Sequence, residues 1–250
     1  MSPAFKDHFS DRAARYAEFR PHYPPALADY LRSLVRKPAT AWDVGCGSGQ
    51  MSTLLGDRCE RVIATDASAE QISRAVRHPR VEYVVAPAEN APIADRSVDL
   101  VVVAQAAHWF DLRAFYLEVR RVARPGAAIA LITYAITEVE PPVGAVIDRF
   151  YHETLKEWWP LERRHTENLY ASLPFPFEEI TPPPLEMSVS WTIDQLMGYV
   201  STWSAVRALE KAKGRLEIDQ LERDVREAWG QVPLRRISWP LGLRVGRISE

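Results

Sequence analysis

The stretch AWDVGCGSGQ, residues 41–50, decides how the rest of this chain is read. A short apolar run over 39–44 ends in three alternating glycines, Gly45, Gly47 and Gly49, and the helical spacing of Met51, Leu54 and Leu55 follows. The pattern predicts a strand, a tight turn and a helix. Glycines let the backbone adopt conformations closed to other residues and let a ligand lie against bare main chain. The N–H groups that open the following helix favour a nearby anionic group. Two phosphate-binding spellings are excluded. A Walker loop needs a lysine after its last glycine, and none is present. The dinucleotide fingerprint G-x-G-x-x-G fails in both registers, with Gln50 or Ser52 at its third glycine.

Working outward, residues 61–65 (RVIAT) form a β-branched run, followed by Asp66 and a helical stretch over 68–77. Further strands are predicted over 81–85 and 98–103, where DLVVV has the continuous apolar character of a buried central strand. Residues 112–123 read as a helix with Phe115, Val119 and Val122 on one face. Arg124-Pro125-Gly126 ends it, and a fifth strand covers 127–133. This alternation implies an α/β fold with a doubly wound, mostly parallel sheet. After about residue 134 the rhythm changes. Tryptophan-containing helical stretches over 146–159, 193–208 and 216–229 alternate with proline breaks. Two strand candidates, 185–191 and 235–245, accompany them, the second a hairpin kinked at Pro240. The 250 residues are read as a single domain: an N-terminal segment (1–35), a core (36–135) and a second half (136–250). That second half completes the sheet edge and adds helices over the open end.

Composition narrows the function classes. Thirty-one Lys and Arg against 33 Asp and Glu give a net charge of -2, so no general affinity for nucleic acid phosphates is expected. The N-terminus lacks the apolar region of a signal peptide, and no stretch reaches the ~18 apolar residues a membrane span needs. Cys46 and Cys59 form no C-x-x-C pair, so neither a disulfide framework nor a metal site is expected, and a cytoplasmic location is. The sequence does not reveal the oligomeric state.

With Asp43 ahead of the first glycine, the spelling D-x-G-x-G-x-G resembles motif I of the class I S-adenosylmethionine-dependent methyltransferases. The resemblance implies a Rossmann-like, mostly parallel seven-stranded sheet with an added helical cap, S-adenosyl-L-methionine as cofactor, and a small-molecule acceptor. It implies that Asp43, Gly45, Cys46, Gly47 and Gly49 surround the amino-acid tail of the donor. Asp66 ends the second strand, where a carboxylate can accept both ribose hydroxyls, with Ala67 beside it. Asp66 could instead cap the next helix, a job Ser68 can do itself. APAEN (86–90) falls where the family wraps the adenine. Pro87 stands where an acid is usual, leaving the backbone of Ala88 and the side chain of Glu89. Gln105 lies in AQAAHWFD (104–111), at the carboxyl edge of a central strand. RRVARPGAAI is similar to the later R-P-G-G motif, with Ala127 in place of its second glycine.

Four phrases are similar to methyltransferases akin to the trans-aconitate methyltransferases: YAEFRPHYP (16–24), QAAHWFD (105–111), NLYASLPFPFEEI (168–180) and YVSTWSAVR (199–207). In that group the N-terminal segment folds over the donor as a lid. This implies a role for Arg20, with Tyr16 and Tyr23, in clamping the donor carboxylate. Because the donor is a sulfonium, the protein must mainly align acceptor and methyl carbon. A carboxylate acceptor needs no general base; a phenol, alcohol or protonated amine needs one. His108 is the candidate base, with an orienting role as the preferred alternative. Trp109 could face the sulfonium or pack in the core. Tyr23, His108, Trp109, Tyr170 and Trp203 are the acceptor-side candidates, joined by Phe177. Tyr170, Trp203 and Phe177 each have a core role as the alternative. Arg235, Arg236, Arg244 and Arg247 read as solvated faces of edge strands. Two rivals remain, a nicotinamide-dependent oxidoreductase and a non-catalytic module that keeps the donor pocket.

Overall fold

The structure is a computed structural model that describes residues 19–36 and 38–249. Most of the N-terminal segment, including Tyr16, therefore lies outside the described residues.

Helix α1 (Pro25–Ser33) starts on Pro25, whose missing N–H costs nothing in a first turn, and buries Leu27, Ala28 and Leu31. Then strands and helices alternate: β1 (Thr40–Val44), α2 (Gln50–Gly56), β2 (Arg61–Asp66), α3 (Ala69–Ser73), β3 (Val81–Val85), β4 (Val98–Ala104), α4 (Leu112–Val122) and β5 (Ala123–Tyr134). The second half contributes β6 (Glu138–Val139), α5 (Val143–Arg149), α6 (Arg163–Glu167), β7 (Glu178–Ile180) and β8 (Met187–Trp191). It ends with α7 (Ile193–Ser201), α8 (Ser204–Lys213), α9 (Leu216–Trp229), β9 (Arg235–Trp239) and β10 (Leu241–Arg247).

Seven strands form the main sheet in the order β3-β2-β1-β4-β5-β10-β7. The first five are parallel, and β10 runs antiparallel to both β5 and β7. Alternate residues of the central strands feed two apolar layers. Ala41, Val62, Leu100, Val102 and Ile132 pack toward α1, α2 and the C-terminal helices. Trp42, Val44, Ile63, Val101, Val103 and Ile129 pack toward Phe115, Val119 and Val122 of α4. Both faces are covered, which is why these strands read as continuous apolar runs.

Several expected elements are cut shorter, for physical reasons. The helix expected over 68–77 stops at Ser73. The Val76 N–H then bonds the Ser48 carbonyl, drawing the chain against the glycine loop. The helix expected over 146–159 starts at Val143 and passes into a π-helical segment, Phe150–Thr154, that buries Phe150 and Tyr151. The stretch 193–208 splits at Thr202–Trp203. Its first half opens with a capping box of Thr192 and Gln195. The expected hairpin over 235–245 is instead a strand that changes sheets. β9 joins β6 and β8 in a separate three-stranded sheet, while β10 joins the main one. Pro240 at the junction has no N–H to offer either ladder, and its carbonyl accepts from the Ala135 N–H. The candidate strand at 185–191 likewise joins the small sheet, and the main sheet's edge is β7. Among the described residues no helix is long and apolar enough to cross a membrane.

Candidate functional site

The strand order reverses at β1, which lies between β2 and β4. In open α/β sheets the carboxyl end of such a junction is where ligands bind. The glycine loop sits there. Gly49 has φ 87°, and a side chain on it would collide with the Tyr83 hydroxyl. Gly47 has φ 54° and an open side; a Cβ there would meet only Gln71 Oε1, at 3.9 Å. The loop also partly satisfies itself. The Cys46 N–H donates to the Thr65 carbonyl (3.0 Å), the Gly49 N–H to the Cys46 carbonyl (3.0 Å), and the Gly47 N–H to Asp66 Oδ2 (2.9 Å). Its amides are therefore not uniformly bare.

Asp43, the acid ahead of the loop, is completely buried. Its Oδ2 accepts from the Ser52 hydroxyl at 2.5 Å, and its Oδ1 has no partner among the described residues. Burial pushes its carboxyl up to about 7; the Ser52 hydrogen bond opposes the rise and the charge of Asp66 adds to it. Burial also raises the Cys46 thiol, so it is no ready nucleophile. Asp66 uses both oxygens locally, Oδ2 on Gly47 and Oδ1 on the Ser68 N–H (2.8 Å), and burial raises its carboxyl. The cap of α3 is Ser68, whose hydroxyl accepts from the Gln71 N–H. Ala67 is exposed beside Asp66.

After β3, Ala88 is buried in the α4 layer. Glu89 Oε1 accepts from the Asp111 N–H (2.9 Å), and Asp111 in turn caps α4. This ties the segment after β3 to the chain that follows the 3₁₀ turn Ala107–Trp109. Gln105 opens that turn at φ 59°. Its Nε2 donates to the Tyr134 carbonyl (3.3 Å) and its Oε1 accepts from the Thr133 hydroxyl (3.0 Å).

His108 Nδ1 lies 2.7 Å from the hydroxyl of wholly buried Tyr170. Burial first, then the charges of Arg163 and His165, hold the imidazole down to about 3. Trp109 is 41% exposed and lies against the His108 ring, so the core role is not the one it takes. Trp203 is buried among Tyr151, Trp159 and Tyr199. Phe177 is buried against Tyr116. Arg20 donates to the Tyr134 hydroxyl (2.9 Å), and the Tyr23 ring lies 6.3 Å from that of Tyr134.

One important residue escaped the sequence reading. Arg163, from α6, lies over the rings of Trp159 (4.9 Å) and Tyr151 (5.6 Å) and donates to the Tyr151 hydroxyl. It makes no ion pair with the described residues, and its charge acts on His108, Tyr170 and Tyr199; Arg20 acts on Tyr199 too. No local pattern marks it: its direct partners Tyr151 and Trp159 precede it closely, but the groups that its charge acts on, His108 and Tyr199 among them, come from distant parts of the chain. Among the described residues no cluster of metal-ligating side chains occurs.

Residues 42–131 match the family model described as a methyltransferase domain. A Dictyostelium discoideum protein provisionally named a methyltransferase is 31% identical over 229 residues, covering 90% of this chain and 87% of its own. The malonyl-[acyl-carrier protein] O-methyltransferase of Pseudescherichia vulneris is 37% identical over 128 residues, about half of each chain. The solved structure of a provisionally assigned type II methyltransferase from Anaeromyxobacter dehalogenans is 48% identical, with a TM-score of 0.87. That match covers 92% of this chain and 99% of the other.

Proposed function

This chain belongs to the S-adenosylmethionine-dependent methyltransferases, and on that premise we propose that it methylates an oxygen of a small anionic acceptor, a carboxylate in the first instance. The observation that carries this reading is Arg163: a guanidinium lying over two adjoining aromatic rings, with no direct carboxylate partner among the described residues, whose field reaches His108. Such a stacked cation is a ready counterpart for a carboxylate. The similarity over half of the chain to a malonyl-[acyl-carrier protein] O-methyltransferase, and the phrases that resemble the trans-aconitate methyltransferases, agree with methylation at oxygen. Family membership disfavours a nicotinamide-dependent reaction.

The residues at the glycine loop fit the donor. Gly47 leaves its side open for close approach, and Asp43 Oδ1 is a buried acceptor with an unused lone pair, suited to an ammonium group. In this reading the loop and Asp43 hold the amino-acid tail, and Asp66 and Ala67 the ribose. Ala88, Glu89 and Gln105 border the base, and Arg20 with Tyr23 closes over the tail. When bound, S-adenosylmethionine supplies a methyl group already activated by its sulfonium and leaves as the neutral thioether. The protein then has to align and desolvate the acceptor oxygen, and no proton need move.

Radiolabelled methyl transfer to a panel of small carboxylates and amines tests the assignment. Turnover of carboxylates is expected. Arg163→Met, which keeps the stacked shape and removes the charge, should raise the acceptor KM by about tenfold or more and leave donor affinity alone. Turnover restricted to amines would overturn the reading.

A further inference from the structure

Tyr170 has a left-handed backbone, φ 63°, and its phenol is wholly buried beneath the 3₁₀ turn. Among the described residues its oxygen has one hydrogen-bond partner, His108 Nδ1. Thr133 gives its own proton to Gln105 Oε1, because the Gln105 amide nitrogen is committed to the Tyr134 carbonyl. A buried phenol with no other acceptor among the described residues has its proton left for His108 Nδ1, 2.7 Å away.

We propose that Tyr170 donates this proton to Nδ1 and so fixes His108 as the neutral tautomer with its hydrogen on Nε2. That N–H then serves as a fixed donor to an acceptor oxygen, not as a general base. Tyr170 is thus a positioning residue, acting on the acceptor through His108. The inference rests on the anionic-oxygen reading above for what the N–H binds, but the tautomer itself does not. Nε2 makes no hydrogen bond to the described residues and is not among their sealed polar atoms. The groups that face the ring agree with the neutral form. Burial is its main cause, the fields of Arg163 and His165 act in the same direction, and the rings of Trp109 and Tyr170 that lie against the imidazole are uncharged. A neutral N–H donor also suits a carboxylate nucleophile better than an imidazolium would. It orients the oxygen without quenching its charge.

The direct test is imidazole ¹⁵N NMR of the full-length protein. Wild type should show His108 Nε2 protonated and Nδ1 unprotonated, unchanged from pH 6 to 8. Tyr170→Phe should shift the ring toward a mixture of tautomers. A hydrogen on Nδ1 in the wild type would mean that the phenol accepts from the ring instead, and would overturn the proposal. So would a ring that gains a proton within that pH range. If Tyr170→Phe does not fold, the wild-type spectrum still decides. Succinate, titrated into the protein saturated with S-adenosylhomocysteine, separates the two claims. His108→Ala should weaken its binding about tenfold. His108→Gln, which retains an N–H donor, should recover part of that loss. Equal binding by all three proteins would refute the donor role. If the wild type binds no succinate, the acceptor reading and the donor role fall together, while the tautomer stands or falls on its own spectrum.

Discussion

Asp43 shows how one residue can carry the tension between stability and function. A carboxyl buried with one oxygen unmatched is costly to ionise, and burial moves its pKa from 3.8 up to about 7. Between those values the unfolded chain has released the proton and the folded chain still holds it. The Asp43 contribution to stability therefore falls as pH rises from about 4 toward 7, by roughly 1.4 kcal/mol per unit at most, against the opposite slope of His108, whose lowered pKa makes its own contribution rise over much of that range. Urea denaturation at pH 4.5, 6 and 7.5 isolates the Asp43 part as a difference: the wild type should lose stability relative to Asp43→Asn as pH rises. Parallel profiles would remove the buried carboxyl from the account. Asp43 was legible in the sequence because it precedes the glycines by a fixed step. The same reading also picked out Asp66, Gln105 and His108 from motif positions. Their actual partners were not legible: the grip of Asp66 on Gly47 and of Gln105 on Thr133 depends on how β1, β2, β4 and β5 lie side by side. Arg163 and Tyr151 were missed altogether. Their relation to His108 arises only when the cap is folded onto the sheet.

At the scale of elements, the glycine loop is constrained by its neighbours as much as by its ligand. Gly49 combines a left-handed backbone with contact against Tyr83, whereas Gly126, also left-handed at φ 79°, faces open space. Alanine at Gly126 should cost only the backbone strain, about 1–2 kcal/mol, and leave donor binding unchanged. Alanine at Gly49 should cost more, about 2–4 kcal/mol, and weaken donor binding as Tyr83 is displaced. Urea midpoints with calorimetry on both variants provide the check, and equal costs would argue that the Tyr83 contact is immaterial. The five parallel strands were readable because burial on both faces writes itself as an unbroken apolar run. β7 was not, since Glu178–Ile180 is three residues long, mostly polar and dependent on β10 for its pairing. The passage from β9 to β10 reads as one strand because both halves are apolar in alternation. Pro240 signals a break but not that the two halves enter different sheets.

For the whole molecule, the doubly covered sheet brings the loops after β1, β2, β3 and β4 to one end, and the second half adds α6, with Arg163, close to that end. In the proposed reading the donor side belongs to the part of the chain whose sequence rhythm is regular and the acceptor side to the irregular second half, and it is there that the sequence said least. A ligand bound only by the folded form must stabilise it, so donor uptake and folding are linked. The most direct measurement is calorimetric titration of the wild type and Asp66→Ala with S-adenosylmethionine and with S-adenosylhomocysteine. The account predicts saturable binding of both by the wild type and a loss of about tenfold or more for both in the variant, with the variant still folded. Unchanged affinity in Asp66→Ala, or no uptake of either compound by the wild type, would contradict it.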